Sequence, residues 1–216
     1  MASLLQFFKV NRVVSILIGS EFILTTSFGL LVPILSLFIV NDLEGGSPRV
    51  AGFSLAIYWI TKSVLQIPIG AWLDKHKGEI DDFWALLTGN IASGVLAILF
   101  AFWVKDIWGL YFFEVLWGIT DAFIVPPFYA IFSRHLDPGR EGFEWSLRSS
   151  MAFGAGSALG GALGGILAAA LGYRSVFLFA GIGALIGSVL LIFMKPYIKS
   201  RGEGPAEKVY IAPRRL

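Results

Sequence analysis

Tyr58–Asp74 reads YWITKSVLQIPIGAWLD and continues into Lys75-His76-Lys77-Gly78-Glu79. The stretch is apolar for more than four helical turns, yet it holds Lys62 near its centre and leaves on a Gly-x-Trp-x-Asp-Lys turn. Ser54, Tyr58, Lys62 and Gln66 recur every four residues, which on a helix makes one polar stripe on an apolar rod. A lysine at the middle of a bilayer-spanning helix costs about 2.5–3.5 kcal/mol on insertion scales. A chain keeps such a residue where it faces protein or water, usually beside a carboxylate. The stretch therefore reads as a membrane helix with a covered charged face.

Composition extends that reading to the whole chain. Of 216 residues, 56% are hydrophobic and 15% charged, where a soluble domain has about a quarter charged. Apolar runs long enough to cross the hydrocarbon recur throughout and leave no room for a soluble catalytic domain. Six spans are expected, at 13–40, 50–73, 82–104, 107–133, 147–170 and 173–194. No segment alternates apolar and polar residues with period two, which excludes a membrane barrel. The expected class is an all-α membrane protein, a six-helix bundle over residues 1–194 with a charged, Gly- and Pro-rich tail over 195–216 that reads as disordered. The chain begins at a methionine and ends in that tail, so it reads as complete, a truncated first half being the alternative.

Lys and Arg flanking the spans set the orientation. Lys9, Arg12, Lys75, Lys77, Arg134, Arg140, Lys195, Lys199 and Arg201 lie on one side, against Arg49, Lys105 and Arg174 on the other. This places both termini in the cytoplasm, in a plasma (inner) membrane. The apolar run after the N-terminus is too long for a cleaved signal and contains Glu21. No cysteine is present, so disulfides and thiolate metal sites are excluded.

Glu21 and Pro33 in the first span echo Glu114 and Pro126 in the fourth at equal separation, with Arg12 and Lys105 ahead of them at matching offsets. Those spans run in opposite directions, which is the pattern of an inverted three-plus-three repeat. Glu21, Lys62, Glu114 and Asp121 are the ionisable residues well inside spans. Asp121 and Lys62 sit at similar depth and are expected to pair, whereas Glu114 lies nearer the outer surface, where water can solvate it. One reading makes these groups a proton-exchanging or cation-meeting cavity, with Tyr58, Trp59, Gln66 and Trp117 lining it. The other makes them buried pairs that fix helix register. Gly156, Gly160 and Gly164, with Gly161 and Gly165 beside them, form stripes that let helices approach closely. Trp72, Trp84, Trp103 and Trp108 near span ends fit an interfacial belt.

These pieces resemble the major facilitator superfamily. Gly70-Ala71-Trp72-Leu73-Asp74-Lys75 is similar to the first half of that family's loop motif, which implies a gating role for Gly70, Asp74 and Lys75. The second half departs, with Glu79 where the family has a base. Gly172-Tyr173-Arg174-Ser175-Val176-Phe177 resembles G-W-R-x-x-F, and Gly156-Ser157-Ala158-Leu159-Gly160-Gly161 resembles the antiporter motif without its proline. Glu114-Val115-Leu116-Trp117-Gly118 stands where the family reads R-x-x-Q-G, so the family's arginine is replaced and Lys62 becomes the substitute cation.

The family has two six-helix halves, and this chain supplies one. The resemblance therefore implies a parallel homodimer, with the first and fourth spans lining the cavity. The glycine and polar stripes of the fifth and second spans would face the partner. The implied function is alternating-access transport of a small organic solute, by proton-coupled antiport or efflux, with the lipid bilayer as its medium. Sugar or metabolite uniport or symport and a non-transporting membrane scaffold are the alternatives. No cofactor, metal or nucleic acid is expected. An intramembrane enzyme is disfavoured: His76 and His135 fall in loops, and no second intramembrane aspartate faces Asp121.

Overall fold

A computed structural model describes residues 10–75 and 78–198. Lys9, His76, Lys77, Lys199, Arg201 and the expected disordered tail beyond Ile198 lie outside the described residues. Six helices are long and apolar enough to span a membrane: α1 (Arg12–Asn41), α2 (Pro48–Leu73), α3 (Ile80–Trp103), α4 (Ile107–Arg134), α5 (Glu141–Leu171) and α6 (Tyr173–Tyr197). Among the described residues there is no strand, only a single bridge between Glu44 and Asp106. The protein is an all-α integral membrane protein.

Local chemistry sets the helix starts. The side chains of Asn11, Ser47 and Asp106 accept hydrogen bonds from the amides of Val14, Val50 and Gly109, and Pro48 follows its cap at the first helical position. Gly172 alone separates α5 from α6, at φ +80°, a conformation that suits glycine.

Two spans differ from expectation. α1 breaks at Leu30–Leu31, because Pro33 has no amide to donate back along the helix and instead sits in the first turn of a new segment, Val32–Asn41. α5 starts six residues earlier than its apolar run, at Glu141, and passes through a π-helical segment, Arg148–Ala155. A four-residue repeat overshoots an α-helical turn by about 40°, and the wider π turn undershoots it. The two drifts offset each other, so Arg148, Gly156, Gly160 and Gly164 all meet α1.

The bundle is an inverted repeat of three helices. Pro48 and Glu141 open α2 and α5, Ile80 and Tyr173 open α3 and α6, and Asn41 and Arg134 close α1 and α4, each pair 93 positions apart. Glu21 and Glu114, and Pro33 and Pro126, share that offset. Packing follows the same rule: α2 lies on α4 as α5 lies on α1, α3 contacts α4 as α6 contacts α1, and α3 meets α6 between the repeats.

Two apolar cores stack along the bundle. At the end bearing Asn41, Trp103 and Arg174 (the distal end), Phe100 stacks on Phe177 at 4.3 Å and on Trp117 at 5.2 Å. At the proximal end, which bears Arg12 and Arg134, the core gathers Val14, Leu17, Phe83, Phe128, Ile131 and Phe132. The family-like arginine in the first turn of α6 has a structural task here. Arg174 donates to the carbonyls of Ala101 and Val104 at 2.7 and 2.8 Å, satisfying acceptors that the end of α3 leaves free.

Candidate functional site

Lys62 and Asp121 lie near the middles of α2 and α4, and the structure brings them together. Lys62 Nζ is 2.9 Å from Asp121 Oδ2, and the Tyr58 hydroxyl donates to the same oxygen. The ammonium also lies 4.9 Å from the Trp59 ring centre and 5.6 Å from that of Tyr58. Two groups that would each be costly at mid-membrane thus neutralise one another.

A second pair joins the opposite interface. Arg148 of α5 clasps Glu21 of α1 with Nε on Oε2 at 2.8 Å and Nη2 on Oε1 at 2.5 Å. This fork-to-fork geometry is the strongest form of the contact. Phe128, Tyr129 and Trp145 surround the guanidinium with centroids at 4.7, 5.1 and 5.6 Å. Arg148 is the second residue of the expected fifth span, so the sequence reads it as an end-of-span charge and not as a buried partner. The bundle thus holds two intramembrane ion pairs, Arg148 with Glu21 and Lys62 with Asp121.

Glu114 behaves differently from both. It is 4% exposed, Oε1 has no hydrogen-bond partner, and no ion pair forms to it among the described residues. It does not sit exposed at the outer surface, where its depth suggested it would lie. Its carboxylate borders a cavity of about 590 Å³ in the distal half, walled by α1, α2 and α4 with Ser93 of α3. Tyr58, Trp117 and Asp121 line it too, with Phe28, Leu31 and Ile39 from α1. The Trp117 indole N–H donates to the Ser93 carbonyl at 3.4 Å, and the Ser93 hydroxyl donates to Thr120 Oγ1 at 2.7 Å, fixing α3 against α4. Of the residues expected to line a cavity, Trp59 and Gln66 do not border this one. Trp59 is exposed and caps Lys62.

The glycine stripe requires a correction. Gly156, Gly160 and Gly164 do not face outward to a partner; they pack against α1, where a Cβ at Gly160 would strike the Thr26 carbonyl and one at Gly164 the Leu30 carbonyl. Gly161 and Gly165 have open space instead. Likewise the polar stripe of α2 turns inward to α4, with Ser54 buried and Lys62 on Asp121. Four-residue periodicity marked both faces correctly, but the covering element is the chain itself.

Gly70 rests near Pro126 of α4, and Asp74 caps the end of α2, with Lys75 exposed beside it. A proximal polar cluster lay outside the sequence reading. Arg134 pairs with buried Asp82, His135 Nδ1 is 3.6 Å from Glu79 Oε1, and Asn11 donates to the His135 carbonyl. These contacts tie α1, α3 and α4 together at the proximal end.

The sequence profile of the Major Facilitator Superfamily matches residues 17–215 of the chain. A search of curated proteins finds no match. The chain belongs to the major facilitator superfamily, which makes it an integral membrane transporter of a small-molecule substrate.

Proposed function

We propose that this member of the major facilitator superfamily is a secondary active transporter working by alternating access as a parallel homodimer of six-helix bundles. It moves a small organic solute in exchange for protons. One observation carries the reading: a cavity of about 590 Å³ among α1, α2 and α4 is lined by two intramembrane carboxylates, buried Glu114 and the half-buried Asp121. A second copy of the bundle facing this cavity puts the site on a two-fold axis. Since both stripes are used within the bundle, the dimer contact falls to exposed apolar residues of α2 and α5, such as Ile60, Val64, Leu163 and Ile166.

The Lys and Arg distribution supports cytoplasmic termini in the plasma (inner) membrane. In that orientation the cavity faces outward while Glu21–Arg148 closes the cytoplasmic half. Asp74 and Lys75 are positioned to gate that closure. Asp121, Glu21 and Glu114 carry the coupling, and Lys62 neutralises Asp121 between transfers.

The test is solute-driven proton movement in vesicles. Asp121→Asn leaves Lys62 unpaired, so the charge-free double variant Lys62→Gln/Asp121→Asn is measured beside it. Both should lose substrate-driven proton movement, the double variant with folded yield intact. Undiminished coupling in the double variant contradicts the assignment.

A further inference from the structure

The two repeats place Glu21 and Glu114 at equivalent positions, but only one has a cation beside it. Glu21 holds Arg148, and around that guanidinium stand Phe128, Tyr129 and Trp145. Stepping back 93 positions gives Leu55, Leu35, Ser36 and Gly52. All four border the distal cavity together with Glu114. The π segment begins at Arg148, so the equivalence up to that residue is in register. The cavity is thus the place that an arginine and its three rings occupy in the other repeat, emptied by smaller side chains.

We infer that this cavity binds a monovalent lipophilic organic cation, which takes beside Glu114 the place that Arg148 takes beside Glu21. The charge follows from counting: Asp121 is already matched by Lys62, and Glu114 is the one carboxylate of the cavity without a partner. The apolar bulk follows from the lining, where Phe28, Leu31, Leu35, Ile39 and Leu55 stand in for missing rings. Tyr58 and Trp117 supply aromatic faces for the cation itself. A carboxylate kept this deep without a base is stabilised when an incoming cation neutralises it. The same pocket disfavours anions and gives a neutral solute no charge to meet. The inference rests on the transporter reading by naming its substrate class.

The test is equilibrium binding of tetraphenylphosphonium to the full-length protein in lipid nanodiscs, with tetraphenylborate and triphenylphosphine oxide as anionic and neutral probes. Binding should be selective for the cation, fall at least tenfold in Glu114→Gln and be largely retained in Glu114→Asp. Leu55→Arg, which installs the guanidinium of the other repeat, should abolish binding while the protein stays folded; this also separates the site from partitioning into lipid. Equal cation affinity in wild type, Glu114→Gln and Leu55→Arg overturns the inference, as does preference for the neutral or anionic probe. Vesicle flux separates the two claims. Selective binding without movement of the cation defeats transport but leaves the site. Proton-coupled flux of another solute, with binding indifferent to Glu114, defeats the site but leaves transport.

Discussion

Glu21 and Glu114 hold the same place in two copies of one three-helix unit, and their surroundings have diverged. The proximal copy is filled: a bidentate arginine, three aromatic rings and a glycine stripe join α5 tightly to α1. The distal copy is hollow, with the carboxylate facing about 590 Å³ of space bordered by Leu35, Ser36, Gly52 and Leu55. One backbone architecture therefore yields a filled latch or a hollow, according to which side chains stand around the acid. In the proposed transport cycle the two halves exchange these conditions, as inverted repeats do in alternating access.

The largest effect should come from breaking the filled copy. Arg148→Met leaves Glu21 buried without a cation and should destabilise the protein by about 3–5 kcal/mol, read as a fall in melting temperature in mild detergent. The double variant Glu21→Gln/Arg148→Met removes both charges and should recover much of that loss. If the single and double variants melt alike, the latch is not electrostatic.

A smaller effect sharpens the packing side of the comparison. Gly160→Val drives a side chain into the α1 backbone and should cost roughly 1–3 kcal/mol or more, whereas Gly161→Val enters open space and should be near neutral. Equal melting of the two variants would show that α5 does not sit on α1 as described. The smallest effect concerns the hollow copy. Ser93→Ala removes the hydroxyl that ties α3 to Thr120 and should cost about 1 kcal/mol. Its thermal stability should shift by less than that of Gly160→Val.

Much of this architecture is legible in the sequence, for physical reasons. Crossing hydrocarbon demands long apolar runs, so the six spans stand out within a few residues. Lys62 and Asp121 are mid-span charges of opposite sign, and depth alone predicts their meeting. Arg148 is harder to see. Residues 141–146, with Glu141 and Glu144, read as a loop and Arg148 as the edge of the fifth span, yet Glu144 is buried, Arg148 finds Glu21 and the helix begins at Glu141. Hydropathy hides a charge whose partner sits on another helix, although the 93-residue offset would have pointed to this neighbourhood. The two stripes fail in another way. Period four identifies a special face, but whether a neighbouring helix or another chain covers it is a tertiary fact.

The central claim, that two identical bundles complete one transporter, is tested most directly by native mass spectrometry of the full chain released from lipid nanodiscs. A dominant dimer is the predicted result, with Ile60→Asp on the exposed face of α2 shifting it toward monomer. A monomer that persists across protein concentrations, while moving solute and protons in vesicles, would contradict the account.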